Sequence, residues 1–216
     1  MLVLGPVVMM VGFITSPDLE KLLGQEYLDE VKALDMNMTI FTIFITAIGI
    51  LMVFGGLFLL SQDLMANSGK MQRDMLLMSR IGFMFAFTVF YLFFALQLES
   101  IAIAQGENDD YASDPALADQ LVLDTHYMAE SIWSSMPIAW GTALILFGIA
   151  AVTGNNSPKE SMEWAYGLPI IGGLGLISIF WLEDGFVLFL FAMFCAMPIG
   201  ILMLTGHLKD TGADSE

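Results

Sequence analysis

Apolar residues in this chain come in long blocks separated by short polar intervals, and the block lengths set the architecture. A helix crossing a hydrocarbon core of about 30 Å needs about 20 mostly apolar residues. No charge occurs between Asp35 and Asp63, and 39–61 (TIFTIFITAIGILMVFGGLFLLS) forms such a block. A second, 81–103, is uncharged from Ile81 to Leu98 and interrupted only by Glu99. A third runs over 131–153, and two more, 164–182 and 185–205, are separated only by Glu183 and Asp184. The opening block, 1–16, is equally apolar but short. It lacks the basic leader and small-residue cleavage site of a signal peptide, so the pattern predicts a short sixth helix. A re-entrant segment, or a start missing some residues, is the other reading. The fold class expected is all-α: a polytopic membrane helical bundle of six spans in a single transmembrane domain over 1–216.

The polar intervals predict helices of their own. Ser16-Pro17 reads as an N-cap followed by proline at the first helical position. Leu19, Leu22, Leu23, Tyr27, Val31 and Leu34 then fall near one face, the pattern of an amphipathic helix lying at an interface or docked on the spans. Asp114-Pro115 starts a second short helix, with Leu117, Leu121 and Val122 apolar. The connection 63–79 is rich in methionine (Met65, Met71, Met75, Met78) and also reads as amphipathic. Pro137, Pro169 and Pro198 are candidate kinks, Pro198 foremost because it lies well inside the last block.

Charge adds a direction to this plan. Lys70, Arg73, Arg80, Lys159 and Lys209 fall on one side if six helices alternate. Basic loops face the cytoplasm, so both termini are expected there. The opposite face holds the acidic segments 17–37 and 104–130, Glu99 and the Glu183-Asp184 turn: sixteen acids against Lys21 and Lys32. The inner face holds seven acids and five bases, so the formal charge of −16 divides into −14 outside and −2 inside. Trp133, Trp181 and Tyr127 near one boundary and Trp164 and Tyr166 near the other make an aromatic belt consistent with these limits.

Composition narrows the function classes. With 57% hydrophobic residues, 14% charged and a mean hydropathy of +0.75, the chain is far from the quarter charged of an ordinary soluble domain. Seven Lys and Arg in all give no basic patch for nucleic acid. A lone Cys195 excludes an internal disulfide framework and cysteine-rich metal sites. No lysine lies mid-span for a retinal Schiff base, and His126 and His207 are expected on opposite faces, which rules out a pair of axial haem ligands. No acid or base falls in the middle of a span, where a proton-coupled carrier places one.

Two sets of residues remain as candidates. Thr42, Gly49 and Gly56 recur every seven residues in one span, as do Ser134, Gly141 and Gly148 in another. Small side chains at this period let helix backbones approach along one seam. On the acidic face, His126 and Glu130 are four apart and share a helix face, with Asp124 just before them. Glu99, Glu183 and Asp184 are expected at a similar depth. Imidazole with carboxylates suits a divalent transition metal, and carboxylates alone suit calcium. A divalent metal at this face is therefore the candidate cofactor.

These observations support three readings. The first is a non-catalytic accessory or oligomer-forming subunit of a membrane complex, its partners the lipid bilayer, further copies of itself or other membrane subunits. The second is a cation-permeable channel or carrier with an acidic vestibule that concentrates cations. The third is a metal-dependent membrane enzyme using the His126 cluster. An acidic surface is also what a salty habitat selects.

Overall fold

The structure, a computed structural model, describes residues 1–17, 19, 22–66, 68–106, 114–154, 164–182 and 185–206. Regular structure among them is entirely helical: α1 (Leu4–Thr15), α2 (Gln25–Ala33), α3 (Met36–Ala66), α4 (Lys70–Ala104), α5 (Pro115–Trp133), α6 (Met136–Thr153), α7 (Trp164–Ser178), a 3₁₀ turn (Ile179–Trp181), α8 (Phe186–Phe194) and α9 (Met197–Leu204). Five stretches are long and apolar enough to cross a membrane: α3, α4, α5 with α6, α7 with its 3₁₀ turn, and α8 with α9. The chain is an all-α helical bundle of an integral membrane protein. At 12 residues, α1 is about 18 Å long, short of the hydrocarbon thickness.

Sequence neighbours pack as spatial neighbours. α3 pairs with α4, α4 with the α5–α6 rod, α6 with α7, and α7 with α8. α1 lies antiparallel against α3, with Gly5 beside Val53, Gly12 beside Thr46 and Leu2 beside Gly56. Its other flank meets the last helices: Phe13 makes an edge-to-face contact with Phe189 at 5.5 Å, and Leu2 and Val3 cover Gly200. The bundle is thereby closed on itself. At its centre Trp140 is fully buried, ringed by Phe54 at 5.1 Å, Phe189 at 5.8 Å and Phe90 at 6.1 Å.

Proline explains where the rods break. It lacks the N–H that would bond the carbonyl four residues earlier, and its ring crowds that carbonyl. Four before Pro137 is Trp133, the last residue of α5, and four before Pro198 is Phe194, the last residue of α8. Pro169 sits inside α7 without a break.

Three expectations change. Pro17 does not open an amphipathic helix. It forces Ser16 into the extended region (φ −70°, ψ 141°) and so ends α1, as expected of a residue preceding proline. The helix that follows begins only at Gln25, after Gly24 turns the chain with a φ of +55°. The helix opened by Asp114 forms as read, its carboxylate accepting from the Leu117 N–H at 3.2 Å. It is not short, however, and continues to Trp133, so most of 104–130 is helix rather than loop. Among the described residues of 63–79 there is no separate helix: α3 extends to Ala66 and α4 starts at Lys70.

Candidate functional site

The two glycine seams are filled from within the chain. Thr42, Gly49 and Gly56 are buried, and α1 occupies their face. A Cβ on Gly49 would lie 2.6 Å from the Met9 Cα, and one on Gly56 would lie 2.9 Å from a Leu2 methyl. The Thr42 and Thr46 hydroxyls donate to the carbonyls of Met38 and Thr42 in their own helix. In α6, Gly141 and Gly148 meet α7 at the carbonyls of Gly173 and Tyr166, where a Cβ would come within 2.7 and 2.9 Å. Ser134 is not part of this seam. It is the exposed C-cap of α5, its hydroxyl donating to the Glu130 carbonyl at 3.0 Å.

The distinctive site lies at the acidic end, where α2 is docked across α4 and α5. Tyr27, Leu28 and Val31 of α2 form a small apolar cluster with Ile101 and Ile103 of α4, Val122 of α5, and Leu19. Leu23, expected on this face, is exposed instead. Polar contacts fix the position. The Ser100 hydroxyl donates to the Val122 carbonyl at 3.2 Å, which leaves its oxygen to accept from the Tyr27 hydroxyl at 3.0 Å. The Gln105 amide donates to the carbonyls of Leu34 and Val31 at 2.7 and 3.3 Å, satisfying groups that a helix C-terminus leaves unpaired. Outside, Lys32 and Asp119 form an ion pair at 2.6 Å.

His126 is at the centre of this cap. Only 2% of it is exposed, and its ring stacks on Tyr27 with centroids 3.8 Å apart and 21° between planes. Among the described residues neither ring nitrogen has a hydrogen-bond partner in good geometry, the Leu22 backbone being the polar group near it. Burial lowers the pKa of the imidazole below its usual value, opposed by the nearby Leu22 backbone. Burial likewise raises the pKa of the Tyr27 phenol, with Glu130, one turn further along α5, pushing the same way against the Ser100 hydrogen bond. The site thus holds a neutral aromatic pair, sealed by apolar side chains.

The other expected ligands are placed differently. Glu99 and Asp124 are exposed, and Glu130 is half-buried. Asp124 and His126 are two apart on one helix, so they diverge by nearly a half-turn. Glu183 and Asp184 lie outside the described residues. Among the described residues, no three His, Cys, Asp or Glu side chains are grouped to hold a metal ion. Tyr27, Ser100 and Gln105, which organise the site, carry no motif that marks them. Tyr27 was legible only as a member of an apolar face. Compared with known proteins, the chain matches no family model, no curated protein and no solved structure.

Proposed function

We propose that the protein is a non-catalytic multi-pass membrane subunit whose bundle anchors the acidic α2–α4–α5 cap for a partner, either other membrane subunits or further copies of the chain. The observation that carries this reading is the packed aromatic centre: Trp140, Phe54, Phe83, Phe90 and Phe147 are all buried against one another. Such packing leaves the interior to hold the scaffold together. The hydroxyls on which a conducting path would draw, Thr42, Thr46 and Ser61, bond to carbonyls of their own helix. With the glycine seams occupied by α1 and α7, partner contacts fall to the surface of the cap. In this reading the face with Lys70, Arg73 and Arg80 is cytoplasmic.

Extraction in mild detergent followed by size-exclusion chromatography with light scattering tests it. A stoichiometric complex or a defined oligomer, lost when Glu26, Asp29 and Glu30 on the exposed side of α2 are changed to lysine, is the expected outcome. A monomer without a partner would overturn the reading. Cation flux in liposomes that is abolished by the same substitutions would replace it with a channel.

A further inference from the structure

Arg80 sits at the end of the bundle away from the cap, immediately before the uncharged run that begins at Ile81. Neutral groups hold its side chain. The guanidinium lies 4.0 Å above the Phe58 ring, Nη2 donates to the Gln62 side-chain oxygen at 3.3 Å, and Nη1 rests 3.9 Å from the Met65 sulfur. Nε is buried and has no hydrogen-bond partner. Among the described residues the ion pair formed is that of Lys32 with Asp119, and no described carboxylate pairs with Arg80.

A partly desolvated guanidinium is costly unless an anion meets it. At the edge of an apolar run, the anion always at hand is a lipid phosphate. A guanidinium suits it better than an ammonium, because two N–H groups of the planar fork meet two phosphate oxygens. Phe58 and Gln62 fix the plane of that fork in advance, which lowers the ordering cost of binding. Around it the surface is apolar and exposed: Leu59 on α3, and Leu77, Ile81 and Met84 on α4. Leu59, Ile81 and Met84 lie on the side of the uncharged runs, placed to meet acyl chains below a headgroup.

We propose that the Arg80 guanidinium, with the α3–α4 surface around it, is a binding site for the phosphate of an anionic phospholipid. The test uses the delipidated full chain in detergent, with phosphatidylglycerol, diacylglycerol or inorganic phosphate added separately. Bound lipid is counted by native mass spectrometry and the melting temperature is followed. Phosphatidylglycerol should bind and raise the melting temperature, whereas diacylglycerol and inorganic phosphate should not. Arg80→Gln should bind phosphatidylglycerol about tenfold more weakly, the scale of losing a charged hydrogen bond, while Lys32→Gln at the other end binds normally. Should Arg80→Gln fail to fold, Arg80→Lys keeps the charge without the fork and should show a smaller loss. Equal stabilisation by diacylglycerol would overturn the proposal, and so would undiminished phosphatidylglycerol binding by the Arg80 variants. Stabilisation by inorganic phosphate alone would make this an ion site rather than a lipid site.

Discussion

The His126 ring stacks on the ring of Tyr27 at 3.8 Å, so a titratable side chain of α5 forms part of the surface on which α2 rests. The contact joins a nine-residue helix to the long rod that α5 forms with α6.

A pH dependence follows from that contact. In solution imidazole titrates near 6.5. Burial lowers this value in the docked state, so the undocked state binds more protons as pH falls through about 6.5. Stability rises with pH where the unfolded form holds more protons, so docking should be full above about 6.5 and weaken below it. Protection of the residue 25–33 amides against hydrogen exchange, taken relative to the intrinsic rate at each pH, should fall between pH 7.5 and 5.5, and His126→Phe should remove the change. Equal protection at both values in the unaltered chain would refute the inference.

Tyr27 supports the cap in two separable ways. Tyr27→Phe loses only the hydroxyl bond to Ser100, worth about 1 kcal/mol, and should leave α2 in place. Tyr27→Ala also removes the stacked ring, with a cost of about 3–5 kcal/mol for an aromatic truncation, and should expose 17–37 to protease. Identical digestion of the two variants would show that the ring contact does not hold the cap.

Gly49 and Gly55 make a matched pair in one helix. A methyl on Gly49 would collide with the Met9 backbone, whereas one on Gly55 meets nothing within 4 Å. Gly49→Ala should lower stability by about 1–3 kcal/mol, as overpacking does, and Gly55→Ala should not. Thermal unfolding in a fixed detergent measures both, and equal melting temperatures would contradict the α1–α3 packing.

The Lys32–Asp119 pair is short at 2.6 Å, but both side chains are more than a third exposed. Solvent screening should hold the effect of Asp119→Asn below about 1 kcal/mol and make it vanish at high salt. A larger loss that persists in 1 M salt (a Debye length of about 3 Å) would mean the pair is shielded in a way its exposure does not suggest.

The bundle was legible in the sequence because apolar block length answers directly to bilayer thickness, and α3 and α7 follow the apolar blocks closely, whereas α4 starts at Lys70, well before its uncharged run begins at Ile81. Asp114-Pro115 was legible because capping is a local interaction between a carboxylate and an N–H three residues on. Ser16-Pro17 misled because the same dipeptide that can open a helix also prevents its predecessor from continuing, and only the neighbouring turn decides. The seams at Gly49 and Gly141 were readable as close approaches, but not which helix approaches, since a small-residue period fixes the face of its own helix and not the partner that fills it. His126 looked like a surface ligand because its sequence neighbours Asp124 and Glu130 are acidic. Its burial depends on α2, about a hundred residues earlier, and no local pattern reports that.

Between Trp133 and Met136 one long rod is divided in two. The Ser134 and Ser135 N–H groups still find acceptors at Glu130 and Ile132, but Pro137 withholds the bond that would have carried the helix through. Beside this joint α4 runs on unbroken for 35 residues, a splint of about 52 Å. Bending stiffness is therefore lowest at the two serines. The α5 arm is thus tied to the bundle less by its own backbone than by its packing along α4.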